Sequence, residues 1–238
     1  MKAKKKPAVV DLFCGIGGLS YGFVSEGFDV IAGIDNDESC RYSFEENNNS
    51  QFICKDVNTV KGADINELFG DNIKILVGCA PCQPFSSYSF RQKEKDENKW
   101  KLLYEFARLI EETRPMIVSM ENVPLLLHFK KAPVFEDFCD RLRSLGYFID
   151  YKEIFCPDYG IPQRRTRLVL IASLLGEIKI IEKTHSPETY VTVKDIIADL
   201  PPVNAGEADK NDKLHRARAL TPLNLNRIKS TKEGGGWK

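Results

Sequence analysis

Over its first 170 or so residues the chain alternates short apolar runs with amphipathic stretches of helical period, and this rhythm leaves few folds open to it. Ala8 to Phe13 reads as a buried strand and Leu19 to Glu26 as a helix stopped by Gly27. Asp29 to Ile34 is a second strand, Glu38 to Glu46 a helix that Asp37 can cap, and Gln51 to Cys54 a third strand leading to Asp56. Ile73 to Gly78 makes a fourth. Leu102, Leu103, Phe106, Leu109 and Ile110 then fall at helical spacing, Pro115 closes that helix, and Met116 to Met120 is a fifth strand. Val134 to Ser144 is a helix ended by Gly146, and Tyr147 to Phe155 and Arg167 to Ala172 are strands joined by a short turn-rich stretch, as in an antiparallel pair. The pattern predicts an α/β fold: a doubly wound, mostly parallel sheet with an antiparallel strand near its end. From about His185 the rhythm fades among Pro187, Pro201, Pro202 and Gly206, so residues 1–184 are expected to form one domain and 185–238 a loop-rich segment.

Composition excludes little beyond disorder and membrane spans. With 42% apolar and 29% charged residues, 238 residues suffice for a sizeable core. The formal net charge of zero neither supports nor opposes a nucleic-acid partner, because a binding groove needs a local basic surface and not a basic total. The basic N-terminus is followed by an apolar run too short for a signal peptide, and no window is long enough for a membrane helix. Seven scattered cysteines suit free thiols in a reducing compartment, and a cytoplasmic location is expected.

Four constellations can carry chemistry. Asp11-Leu-Phe-Cys-Gly15-Ile-Gly17-Gly18 is a strand feeding a glycine turn feeding a helix, and Asp35 follows at the end of the next strand, where a carboxylate suits a ribose diol. The spacing is not that of a dinucleotide fingerprint, and taken alone it is equally a tight strand-to-helix turn. Gly78-Cys79-Ala80-Pro81-Cys82-Gln83-Pro84-Phe85-Ser86 follows the fourth strand, where an open parallel sheet presents its active loops. A cysteine there can be a nucleophile if nearby positive charge or amide donors lower its pKa. A redox pair, half a zinc site and a buried structural thiol are the rival readings, though Pro84 obstructs the helix a redox motif needs, and His128, His185 and His215 are isolated. Glu121-Asn122-Val123, directly after the fifth strand, is a surface carboxylate or an active-site acid. In Gln163-Arg164-Arg165-Thr166-Arg167, alternation sends Arg165 and Arg167 to one face, toward an anion or into solvent. Ser86 to Lys99 is a polar stretch suited to a lid or to an idle loop.

Taken together and in this order, these blocks (D-L-F-x-G-x-G-G, P-C-Q-P-F-S, E-N-V and Q-R-R-x-R) resemble those of the DNA (cytosine-5)-methyltransferase family. The likeness runs from about Pro7 to the chain's end, through Thr192-Val-Lys-Asp-Ile-Ile-Ala-Asp-Leu-Pro-Pro202 and Arg216-Ala-Arg-Ala-Leu-Thr-Pro222. It implies that 1–184 are a catalytic domain binding S-adenosylmethionine, with no metal, and that Phe13 stacks on the cofactor's adenine while Gly15 and Gly17 admit its methionine portion. Asp35 would hold the ribose and Asp56 meet the adenine amino group. Cys82 would be the nucleophile and Glu121 the acid facing the base, with Arg165 and Arg167 arranging base and thiolate. The substrate implied is double-stranded DNA with the target cytosine flipped out, within a restriction-modification system.

Two departures stand out. Cys79-Ala80 replaces the small residues usual before Pro-Cys, and the target-recognition region and final blocks of the family are not found before Lys238. The chain is therefore expected to be either a truncated fragment or one subunit of a split enzyme, whose second polypeptide supplies them. A tRNA cytosine-5 methyltransferase and a catalytically silent subunit are the alternatives. The Cys-Phe-Thr block usual in the former is not found, and Cys82 and Glu121, which silent members typically lose, are both present.

Overall fold

The computed structural model describes residues 5–81, 101–128, 133–212, 215–232 and 235–236. They form two compact units, Met1–Tyr190 and Val191–Lys238. The first is built on a seven-stranded sheet of β1 (Pro7–Leu12), β2 (Asp29–Asp35), β3 (Gln51–Cys54), β4 (Ile73–Gly78), β5 (Ile117–Asn122), β6 (Phe148–Phe155) and β7 (Thr166–Ser173) in the order β3-β2-β1-β4-β5-β7-β6. The first five run parallel, and β7 is antiparallel to both β5 and β6. This is the mixed, doubly wound sheet expected from the apolar rhythm, with the reversed strand inserted one place from the edge. Chain order reverses between β1 and β4, and at such a crossing the loops leaving the strands part to make a crevice.

Helices cover both faces. On one side α1 (Gly18–Ser25) and α2 (Arg41–Asn48) bury Val9, Val30, Ile75 and Val77 beneath Leu19, Phe23, Val24 and Phe44. On the other, α3 (Gly62–Phe69), α4 (Lys101–Thr113) and α5 (Val134–Ser144) close the larger core over Val10, Leu12, Leu76, Val118, Met120, Leu168 and Leu170. Alternation along each strand therefore sends Val9 and Asp11, Val77 and Cys79, and Ile117, Ser119 and Glu121 to the α1 face.

Within the first unit, three elements depart from the sequence reading. Helix α3 was not foreseen. Its N-cap is Lys61, a residue that does not advertise a helix start; Asp64 accepts from the Lys61 amide at 3.5 Å, and the Gly62 amide donates to Glu112, fifty positions away. The helix expected at Glu38 opens as a 3-10 turn, Glu38–Cys40, capped by Asp37 through the Ser39 amide, and becomes α-helical at Arg41. Strand β5 runs two residues further than expected, so Glu121 and Asn122 lie within it.

The first unit extends to Tyr190 because buried Asp158 ties the following segment down. Its backbone carbonyl accepts from Thr184 and His185 amides at 3.0 Å, and its carboxylate holds Lys183 at 2.7 Å and the Tyr190 hydroxyl. The second unit carries two short helices inside what reads as loop, α6 (Val193–Ile197), with a Thr192/Asp195 capping box, and α7 (Pro222–Ser230), capped by Thr221. Among the described residues no helix is long and apolar enough to cross a membrane.

Candidate active site

The glycine turn after β1 is built from backbone conformations that side chains resist. Phe13 and Gly15 have φ of 60° and 50°, and Gly17, the N-cap of α1, has φ of 88°. A β-carbon on Gly17 would run into the side chains of Asn48 and Phe44, so glycine is required there on two counts. Phe13, the only one of the three with a side chain, is held in this sparsely populated region by its amide bond to Ile34 O at 2.8 Å, with its ring packed against the larger core. Asp35, at the end of β2, grips the turn from the other side. One carboxylate oxygen accepts from Gly15 N at 2.9 Å and the other from Asp37 N at 3.0 Å. Asp56 caps the 3-10 turn Val57–Thr59 after β3, accepting from Asn58 N at 2.9 Å, and is exposed. The crevice is thus rimmed by one aromatic ring, a close-approach glycine turn and two carboxylates on successive strand ends.

Beneath the turn lies a residue whose role the sequence did not disclose. Asp11 is fully buried; one carboxylate oxygen accepts from Ser20 Oγ of α1 at 2.7 Å, and the other, Oδ1, has no partner. Burial raises its pKa from 3.8 to about 7, with the bond from Ser20 opposing the rise and the charge of Asp35 adding to it. A lone buried acceptor beside a glycine turn is an unmet demand for a donor.

Further along the same edge, Glu121 pairs with Arg167, whose Nε lies 2.8 Å from Oε1. Both side chains are largely sheltered, at 32% and 21% exposure, so the pair is more than a loose surface contact. The reversed direction of β7 makes the meeting possible, since Arg167 enters the strand where Glu121 leaves its own. Cys79, one residue beyond β4, sits between Asp11 and Glu121. Burial drives its thiol pKa well up and both carboxylates add to the rise, so it stays protonated and is a poor nucleophile at neutral pH. Buried Asn122 points to the opposite face, where its Nδ2 donates to Ala80 O at 3.1 Å while its Oδ1 accepts from Val123 N at 2.8 Å. It thereby fixes the start of the segment that leads to Cys82.

The structure therefore brings Phe13, Gly15, Gly17 and Asp35 into one turn and Glu121 and Arg167 into one ion pair, and puts Asp56 on the neighbouring strand end. Arg165 is exposed just before β7, held through its backbone carbonyl to the Cys156 amide at 2.8 Å. Cys82 and the Ser86 to Lys99 stretch lie outside the described residues. Asp11 and Asn122 were missed as individual site residues, although both stand inside motifs that sequence reading singled out.

Residues 8–238 match the family model of C-5 cytosine-specific DNA methylases. The chain is 50% identical over 231 residues to the Type II methylase M.HgiDII of Herpetosiphon aurantiacus, covering 97% of this chain and 65% of that protein. It is 32% identical over 205 residues to the Type II methyltransferase M.XorII of Xanthomonas oryzae, covering 82% of this chain and 47% of the other. Among solved structures, one described as a DNA modification methyltransferase encoded within an E. coli prophage superposes with a TM-score of 0.70 at 28% identity, covering 86% of this chain and 58% of that one. The chain thus spans about half to two thirds of the length of these relatives.

Proposed function

This chain belongs to the C-5 cytosine-specific DNA methylase family, and from that premise we propose that it transfers the methyl group of S-adenosylmethionine to C5 of a cytosine in DNA, as part of a restriction-modification system. The observation that carries this reading is the Glu121–Arg167 pair, set on the same edge and face as the Asp11 and Asp35 carboxylates. An acid for a base and a cradle for a small cationic cofactor stand side by side. The expectation of a second polypeptide finds no support, because in the Herpetosiphon and Xanthomonas proteins the matched stretch lies within a longer single chain.

The cradle suits S-adenosylmethionine residue by residue. Phe13 would stack on the adenine, Asp56 accept from its amino group and Asp35 hold the ribose hydroxyls. Gly15 and Gly17 leave room for the methionine portion, and the free oxygen of Asp11 lies beneath them, where an α-ammonium supplies the missing donor. When bound, this cofactor supplies an electrophilic sulfonium methyl. The chain's own groups make C5 nucleophilic: the Cys82 thiolate adds to C6, while Glu121 supports a proton at N3 and turns the ring into an enamine. Arg167, with Arg165 before it, stabilises negative charge that builds on the base during addition. After methylation the C5 proton leaves to a base, the C6–S bond breaks, and the ring regains its aromaticity. The cytosine must be out of the stack for any of this, since its C6 is shielded in a duplex.

Transfer of radiolabelled methyl groups to duplex DNA and to tRNA, measured with the full-length protein, tests the reading. Label is expected in DNA at 5-methylcytosine; label confined to tRNA, or in neither, would overturn it.

Asp11 provides an independent test of the cofactor cradle. Its folded pKa lies above its unfolded value, so the fold is favoured below about pH 4 and loses stability as pH rises toward about 7, by on the order of 4 kcal/mol. A cation against the free oxygen reverses that penalty, so S-adenosylhomocysteine, which keeps the ammonium, should bind more tightly as pH rises across the same window. Asp11→Asn should flatten both slopes in thermal melts and binding titrations between pH 5 and 8. An unchanged binding slope in the variant would remove Asp11 from the cradle.

A further inference from the structure

The turn that presents Asp56 is suspended between two distant anchors. On its upstream side the Lys55 amide donates to Asp35 O at 2.9 Å. On its downstream side it is held by Arg108, near the middle of α4 and about fifty residues away in sequence. The Arg108 guanidinium donates from Nη2 to Val60 O at 3.0 Å and lies 3.5 Å from Val57 O, so it brackets the two ends of the turn. Its other two nitrogens bond within α4, Nε to Glu105 Oε2 and Nη1 to Glu112 Oε1, each at 2.7 Å. Glu112 continues the clamp through Oε2, which accepts from Gly62 N at 2.6 Å, and a β-carbon on Gly62 would collide with the Glu112 side chain.

This arrangement is rigid for a physical reason. A planar fork with fixed N–H directions has one orientation once three of its edges are taken, and two carboxylates lock it from behind. The Val57 and Val60 side chains are buried, which holds the turn down; the Arg108 bonds add direction to its backbone. Asp56 is the N-cap of this turn, so the direction of its carboxylate follows the turn's backbone.

We propose that Arg108 is a positioning residue for the methyl donor: by clamping Val57 and Val60 it aims Asp56 at the adenine amino group, and so sets donor affinity without touching the donor. The inference rests on the reading of Asp56 as the adenine contact, and the test separates the two. Equilibrium binding of S-adenosylhomocysteine is measured by calorimetry for the full chain and for Arg108→Met, Arg108→Lys, Asp56→Ala and the Asp56→Ala/Arg108→Met double variant. Arg108→Met is expected to weaken binding about tenfold, the effect of one misdirected charge-assisted hydrogen bond. Arg108→Lys, which keeps the charge and one carbonyl contact, should recover part of the loss. In the Asp56→Ala background, Arg108→Met should cost nothing further, because there is no carboxylate left to aim.

Additive losses in the double variant, or wild-type binding by Arg108→Met while Asp56→Ala is weak, would overturn the role of Arg108 and leave Asp56 in place. Wild-type binding by Asp56→Ala would overturn the reading of Asp56 and with it the proposal. Thermal melts identify any variant that fails to fold; if Arg108→Met does, Arg108→Lys carries the same comparison, alone and with Asp56→Ala.

Discussion

Cys82→Ala is expected to abolish methyl transfer, by at least about 10⁴-fold, while S-adenosylhomocysteine binds as it does to the unaltered protein. Cytosine C5 has too little electron density to attack a methyl group unless C6 is first saturated, and only a soft nucleophile does this reversibly. Of the two cysteines in Cys79-x-x-Cys82, the structure disqualifies the first, because burial and the carboxylates of Asp11 and Glu121 keep its thiol protonated. Cys79→Ser therefore serves as the control and should retain turnover. Single-turnover transfer of labelled methyl groups, with cofactor binding measured in parallel, checks the assignment; turnover by Cys82→Ala at a tenth of the normal rate would refute it.

Glu121→Gln should lower the single-turnover rate by roughly 10²–10⁴-fold, the range over which a positioned acid acts. Glutamine keeps the shape and can still accept from Arg167, so its melting temperature should stay close to that of the parent. What is lost is the ability to share a proton with the base, and the uncompensated Arg167 guanidinium then repels a protonated ring. The rate should therefore fall much further than cofactor affinity does. Rates within threefold of the parent would remove Glu121 from the chemistry and leave the ion pair as a structural contact.

Much of this site could be read before any coordinates. Strands β1, β2 and β4 announce themselves because a parallel strand in the middle of a covered sheet is a nearly unbroken apolar run, as in Ile73 to Gly78. The glycine turn was legible for a similar reason, since close approach admits only glycine at position 17. Partnership across the chain was not. Helix α3 is capped by Glu112 and its preceding turn clamped by Arg108, and both lie on a helix whose sequence reads as ordinary salt-bridged surface. Asp11 opens a recognisable motif, yet nothing local says that one of its oxygens is orphaned. Arg165 and Arg167 looked equivalent by alternation, whereas the structure pairs only Arg167 with Glu121 and leaves Arg165 exposed at the strand's entrance.

Strand β7 carries its candidate site residue, Arg167, at its start, whereas Asp11, Asp35 and Glu121 stand at or next to the last residues of their strands. Its inward row, Leu168, Leu170 and Ala172, is wholly buried, while Arg167, Val169 and Ile171 share the other face. Lengthening or shortening the connection within residues 161–164 leaves that division intact and spares buried Asp158, which holds the segment up to Tyr190. A single residue gained or lost inside the strand would present a leucine to Glu121 and turn a guanidinium into the core. On the β7 side of this hairpin the boundary between tolerated and ruinous indels thus falls at Thr166.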